Sequence, residues 1–147
     1  MIKVTANVEV GRPVEQVFAF LSDIGNAPRW QRGVVSSKKI SDGPMAVGTK
    51  FTESMHVMGM KFDADCEVTA FEPPRRITMI ADGKIVHYQG TFNLEPSSLG
   101  TRLSVDALVA LKGFWRLLSP LISGEIRKES QAELEDIKRV IESSAAA

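Results

Sequence analysis

Residues 61–72, KFDADCEVTAFE, decide the fold because apolar and polar side chains alternate along almost the whole stretch. A period of two residues is typical of a β-strand with one buried face and one solvent-facing side. The set predicted to face inward is Phe62, Ala64, Cys66, Val68 and Ala70. A strand with one polar face indicates an antiparallel sheet that is covered on one side only.

Similar alternating runs lie on both sides of this stretch. We predict a first strand over residues 2–10, followed by hairpin-linked strands near 34–41, 48–58, 61–72, 75–82, 85–95 and 100–111. Turn residues separate them, and Asp82-Gly83 is the clearest hairpin signal. Between the first two strands, Val14, Val17, Phe18 and Leu21 follow helical spacing, and Pro28 begins a second short helical turn that carries Trp30.

The C-terminal part of the chain predicts one long amphipathic helix, over residues 121–143. Its apolar stripe consists of Ile122, Ile126, Leu134, Ile137 and Ile141. These elements predict a single α+β domain over residues 1–147. In it, a curved seven-stranded antiparallel sheet wraps around the long helix, with two short helices after the first strand.

Composition and charge exclude several classes of function. The 147 residues include 18 basic and 18 acidic side chains, so no broad positive field favours nucleic acid as a partner. Cys66 is the only cysteine, which excludes an internal disulfide and favours a reducing compartment. The most apolar region, residues 103–123, contains Asp106, Lys112 and Arg116, which disfavours a transmembrane segment. We expect a cytoplasmic protein, either a monomer or a homodimer.

Several predicted inward positions leave open what fills the space above the sheet. Ala64, Cys66 and Gly90 are small, so either the long helix packs closely there or room remains for a ligand. Glu53 falls on the inward face, where it either anchors the polar end of a ligand or reaches solvent at a strand end. Tyr88 is an inward ring whose hydroxyl needs a partner, from the protein or from a ligand.

The residues that usually carry catalysis or bind metals form no recognisable constellation. His56 and His87 alternate onto the polar sides of their strands. Asp63, Asp65 and Glu67 form an outward acidic row that lacks the spacing of a calcium loop. We predict neither a metal nor a cofactor.

The order of elements and several local strings resemble the polyketide cyclase/dehydrase branch of the START-like superfamily, whose helix-grip fold also occurs in plant pollen allergens. The strings that carry the resemblance are residues 12–18 (RPVEQVF), 23–30 (DIGNAPRW), 48–51 (GTKF), 67–76 (EVTAFEPPRR) and 117–120 (LLSP). They are mainly structural, so they are specific for the fold and weak for activity.

The resemblance implies a deep, mostly apolar cavity between the sheet and the long helix, with Trp30 either at one end of it or in the core. Family members that catalyse cyclisation or dehydration add polar residues to this cavity. The predicted lining is Trp30, Phe51, Glu53, Met55, Phe62, Ala64, Cys66, Met79, Tyr88, Gly90, Phe92, Val105, Leu118 and Ile122.

Three functions compete at this stage. The first hypothesis is binding, for transport or sequestration, of a small hydrophobic molecule such as a lipid, a polyketide or an aromatic metabolite. The second is a cyclase or dehydratase in which Glu53 acts as general base and Tyr88 polarises an oxygen. The third is a protein-interaction or quinone-binding module that docks through an apolar stretch, namely Phe114, Trp115, Leu117 and Leu118.

Overall fold

A computed structural model describes residues 1–57 and 59–143 and confirms the α+β helix-grip fold. Met58, at the predicted end of the third strand, lies outside the described residues. The strands are β1 (Ile2–Val10), β2 (Val34–Lys39), β3 (Lys50–Val57), β4 (Met60–Glu72), β5 (Arg76–Gly83), β6 (Val86–Pro96) and β7 (Thr101–Leu111). The helices are α1 (Val14–Ser22), α2 (Ala27–Trp30) and α3 (Ser119–Glu142), with 3₁₀ turns at Ile24–Asn26 and Gly113–Leu118.

The strands form one antiparallel sheet of seven strands, in the order β1-β7-β6-β5-β4-β3-β2. Strands β2 to β7 are therefore neighbours both in sequence and in space, as hairpin links require. The first strand closes the other side by pairing with the last, from Ile2 opposite Val109 to Val10 opposite Thr101. As a result β1 and β2 are the two edges.

A β-bulge in β4 corrects one prediction about the inward face. The register between β4 and β5 shifts between Val68 and Ala70, and a bulge reverses the side on which later residues point. Phe71, not Ala70, therefore packs inward, where its ring lies 5.4 Å from that of Phe18. Simple alternation, which placed Ala70 inward, was wrong beyond the bulge.

The C-terminal half of α3 is the part of the helix that enters the core. Leu134, Ile137 and Ile141 are buried there, in one cluster with the inward side chains of β1. Side chains of α3 also cover backbone carbonyls of β1, which as an edge strand could otherwise pair with another chain. Three hydrogen bonds do this: Arg127 Nε to Lys3 O (3.2 Å), Gln131 Nε2 to Asn7 O (3.0 Å) and Lys138 Nζ to Glu9 O (2.8 Å).

Glu142 connects the end of α3 to the loop after β1 through hydrogen bonds. Its Oε2 accepts hydrogen bonds from Lys138 Nζ and from the backbone N–H of Gly11, both at 2.7 Å, and its carbonyl accepts one from Arg12 at 2.9 Å. The hydrogen bonds from Lys138 and then Gly11 hold the pKa of Glu142 below its ordinary value. The ionised carboxylate therefore stabilises the fold, and this contribution is lost as the pH falls through that lowered pKa.

The apolar region at residues 103–123 is divided between β7, a 3₁₀ turn and the start of α3. Phe114, Leu117 and Leu121 are exposed in it, whereas Trp115 is half-buried. In the part of the chain that the structure describes, no helix is long and apolar enough to cross a membrane.

Candidate functional site

A cavity of about 540 Å³ separates the sheet from the N-terminal half of α3. Its floor is the inward face of β3 to β7, one end is formed by residues 21–32, and the roof is formed by α3 residues 122–133. The floor carries small side chains, such as Ala64, Cys66 and Ala81. The space remains because the helix does not pack against them. The volume lies within the range of roughly 300–1,000 Å³ that small-molecule pockets usually have.

Most of the predicted lining residues lie together around this space. They are Trp30, Phe51, Glu53, Met55, Phe62, Ala64, Cys66, Met79, Tyr88, Phe92 and Ile122. Gly90, Val105 and Leu118, which belong to the same predicted set, do not line it. Val105 packs opposite Phe92 in the filled part of the core, and Leu118 ends the 3₁₀ turn before α3. Trp30 is both core and cavity wall, since it packs edge-on against Phe92 with ring centroids 5.7 Å apart.

Gly90 does not touch the cavity because Tyr88 lies over it. Both residues point inward from β6, and a Cβ atom at Gly90 would approach ring carbon Cε1 of Tyr88 to 2.7 Å and the hydroxyl more closely still. The missing side chain thus makes room for the phenol ring. Tyr88 itself lines the cavity, and its hydroxyl lies over Gly90.

Glu53 reaches into the cavity instead of solvent, with only 5% of the residue exposed. Ala64 is its partner across the β3–β4 pair, and so small a neighbour leaves the carboxyl free to face the cavity. Oε1 accepts a long hydrogen bond of 3.5 Å from Gln31 Nε2, and no other nitrogen or oxygen donor in residues 1–57 and 59–143 bonds this carboxyl. Burial raises the pKa of Glu53 from 4.5 to about 7, against smaller opposing effects of Cys66 and Gln31.

Sequence reasoning missed an acidic row on the helix that faces the sheet. Glu125, Glu129 and Glu133 recur every four residues on α3, beside Ser130, and all of them line the cavity. The signal was available: residues four apart share one side of a helix, so placing Ile122 and Ile126 inward also turns this row toward the same side. Strand alternation, which reports on single strands, carries no such information.

Glu133 is the innermost and most constrained member of this row. Its Oε2 accepts a hydrogen bond of 2.8 Å from the backbone N–H of Arg32, which ties α3 to the end of α2. Burial raises the pKa of Glu133 from 4.5 to about 8, and the charges of Glu129 and Glu53 add to the shift while Arg32 opposes it. Burial thus brings the pKa values of two carboxyl groups, one on the sheet and one on the helix, close to neutral pH.

The cavity opens to solvent on one side. Of its lining residues, Asp23, Arg32, Glu125 and Glu129 are exposed, and they place the mouth between residues 23–32 and the N-terminal half of α3. Arg32 pairs with Asp136 at 3.3 Å, which offsets its charge. The charged groups at the mouth and in the interior of the cavity are therefore predominantly acidic.

Other candidate residues lie elsewhere or are chemically inert. His87 is on the polar side of β6, where its Nδ1 lies 3.1 Å from Oδ1 of Asp82, and His56 is exposed. Burial raises the pKa of the Cys66 thiol well beyond its ordinary range, so the nucleophilic thiolate is disfavoured. Within the described residues, no group of three or more potential metal ligands is placed to hold an ion.

Comparison with known proteins identifies the family. Residues 1–142 match the model of a family described as polyketide cyclase / dehydrase and lipid transport. The chain belongs to this family. The resemblance inferred from the residues is thereby confirmed. A search of curated proteins gives no match.

Solved structures share the fold of this family member at low sequence identity. A protein from Thermus thermophilus is 20% identical, with a TM-score of 0.81 and coverage of 97% of this chain and 99% of that one. A START superfamily protein from Mycobacterium smegmatis is 16% identical, with a TM-score of 0.70 and coverage of 93% and 99%. The protein Ara h 8.0201 is 15% identical, with a TM-score of 0.74 and coverage of 97% and 98%. At these identities the likeness shows the fold alone.

Tyr88 allows the enclosure of the site to be measured directly, because it is the only tyrosine in the chain. Burial, with the nearby charges of Glu133 and Glu53, raises the pKa of its phenol above the ordinary value of 10.0. We expect the ultraviolet absorbance of tyrosinate to stay absent near that pH in the folded protein and to rise only at higher pH. Protein unfolded in urea should titrate at the ordinary value, and a folded-state midpoint there would contradict the described position of Tyr88.

Proposed function

We propose that this protein binds a small hydrophobic molecule in the cavity between the sheet and α3, and holds it for transport or sequestration. The observation that carries the proposal is a space of about 540 Å³ with a largely apolar floor. Removing apolar surface from water contributes roughly 25 cal/mol per Å², so an apolar ligand gains affinity from burial alone. Lipid transport is among the activities of the family, which supports the same class of ligand.

The walls favour a ligand body with rings or an acyl chain. Phe51, Phe62 and Met79 supply apolar contact, and Met side chains adapt to differently shaped ligands. Trp30 and Trp115 both line the cavity and are the only tryptophans in the chain. Intrinsic fluorescence therefore reports on the site without a label.

Filling the cavity should weaken the binding of a neutral apolar dye. In the variant Ala81→Trp, an indole would occupy the floor between Cys66 and Tyr88, the two neighbours across the sheet. We expect the affinity for Nile red, measured by its fluorescence, to fall by about tenfold or more because the ligand's volume is taken. Circular dichroism should verify that the variant is folded.

The matched control is Ile40→Trp, which adds the same ring at a site that is 63% exposed and outside the cavity. This control should bind Nile red like the unaltered protein. If the unaltered protein does not bind the dye, or if both variants weaken binding equally, the proposal is wrong.

Catalysis of the cyclase or dehydratase type is a second candidate, favoured by one observation. Glu53 and Tyr88 line the same cavity, and the pKa of Glu53 is raised to about 7, close to the value that suits a general base. In a dehydration, the Glu53 carboxylate would take a proton from the carbon beside a carbonyl group that Tyr88 polarises. The protonated Glu53 would then give that proton to the β-hydroxyl, which leaves as water.

This second candidate predicts that the protein converts a β-hydroxyacyl thioester to the unsaturated thioester and water. The reaction can be measured by the ultraviolet absorbance of the unsaturated product. Glu53→Gln should lower the rate by about a hundredfold, because general-base catalysis contributes roughly 10²–10⁴. His87→Gln, on the polar side of the sheet, is the matched control and should leave the rate unchanged. Absence of turnover in the unaltered protein would rule out this dehydration and leave retention of the ligand.

A further inference from the structure

We propose that the ligand of this cavity is an amine: an apolar body ending in an ammonium group that Glu53 and Glu133 bind from opposite walls. The inference rests on the proposed binding function and adds the chemical class of the ligand to it. A pair of carboxyl groups, Glu53 on the sheet and Glu133 on the helix, distinguishes this site from a simple hydrophobic pocket.

The first step is the charge of the lining. The ionisable groups of the lining are Asp23 and Arg32 at the end wall, Glu53 on β3, Cys66 on β4, Tyr88 on β6, and Glu125, Glu129 and Glu133 on α3. Arg32 is the only cation in this described lining, and it is already paired with Asp136 at 3.3 Å. An anionic head group, such as the carboxylate of a fatty acid, would therefore meet repulsion on entering.

The second step is the incomplete hydrogen bonding of Glu53. This side chain faces the cavity from a residue that is only 5% exposed. Among the described residues its partners are the Cys66 thiol, a weak donor, and Gln31 Nε2 at the long distance of 3.5 Å. A buried carboxyl group is costly unless it is paired. An ammonium group offers three N–H donors together with the compensating charge, so it satisfies both needs at once.

The third step is the position of the second carboxyl. Oε2 of Glu133 accepts a hydrogen bond from the backbone N–H of Arg32, which leaves Oε1 available to a ligand. The charge of Glu133 interacts with the charge of Glu53 and with Tyr88. An ammonium group between the two walls would have two carboxyl groups and the face or hydroxyl of Tyr88 within its surroundings. Aromatic rings also attract cations electrostatically.

The position of the apolar walls orients the rest of the ligand. Phe51, Met55 and Phe62 line the floor around Glu53, and Ile122 and Ile126 line the roof. The amine head would thus lie at the carboxyl pair, with the apolar body held between floor and roof. A neutral alcohol of the same body would fill the same space but would leave the carboxyl pair without a charge partner.

Binding of the ammonium form requires an ionised carboxylate, so it is linked to pH. Without ligand, burial raises the pKa of Glu53 to about 7 and that of Glu133 to about 8, so both carry protons at slightly acidic pH. Amine affinity should therefore rise as the pH rises through these values, by about tenfold between roughly pH 6 and pH 8 for one ionising group. The affinity for a neutral alcohol should not change over that range.

The test compares decylamine, decanol and decanoate, which share one chain and differ in head group. Calorimetry on the full chain near pH 8 should show decylamine binding at least about tenfold more tightly than decanol, and decanoate more weakly, because charged hydrogen bonds exceed neutral ones. Glu53→Gln and, separately, Glu133→Gln should remove the preference for the amine while keeping the affinity for decanol. Retained decanol binding also proves that each variant is folded.

Glu135→Gln is the matched control, since this glutamate is exposed on the same helix and does not line the cavity. It should leave the preference for decylamine unchanged. If decanol binds as tightly as decylamine, or if the preference survives both cavity variants, the amine proposal is overturned while the binding function stands. If none of the three compounds binds, both proposals are overturned.

Discussion

The attachment of α3 to β1 is the constraint on which the rest of the structure depends. Leu134, Ile137 and Ile141 bury their side chains beside β1, and longer side chains of α3 donate hydrogen bonds to the carbonyls of that strand. Both contacts hold the helix beside β1 from Arg127 to Ile141. The N-terminal half continues as a rigid extension over the sheet without having to fill the space below it.

The cavity exists because the side chains on the facing surfaces of the sheet and the N-terminal half of α3 do not fill the space between them. The floor offers small residues such as Ala64 and Ala81, while the roof presents Glu125, Glu129 and Glu133 where a filled core would need large apolar side chains. Acidic residues on a roof also keep it from collapsing onto an apolar floor, because burying their charge is costly. The same residues that keep the space open thus set its chemistry, which links the fold to the proposed choice of ligand.

The strands and helices could be predicted because their signals are local. Apolar residues that recur every second position indicate a strand, and those that recur every third or fourth position indicate a helix, so both patterns are visible in the sequence itself. The short motifs that resemble the family indicated how these elements are arranged. The bulge at Val68 and Ala70 was missed because register belongs to a pair of strands, and it moved Phe71 inward. The burial of Glu133 was missed because it depends on where residues 23–32 lie. For Glu53, the sequence left open whether it reached solvent, and only the three-dimensional contacts decide.

The placement of Glu53 in the cavity between the sheet and α3, where little of its side chain meets water, is what the proposed functions require. The most direct measurement is a pH titration of the ¹³C chemical shift of its side-chain carboxyl by NMR, with Glu53→Gln to assign the signal. Our account predicts a midpoint near 7, to which burial raises the pKa of Glu53 from 4.5. A midpoint at that ordinary value would mean that the carboxyl is surrounded by water, and would contradict the account.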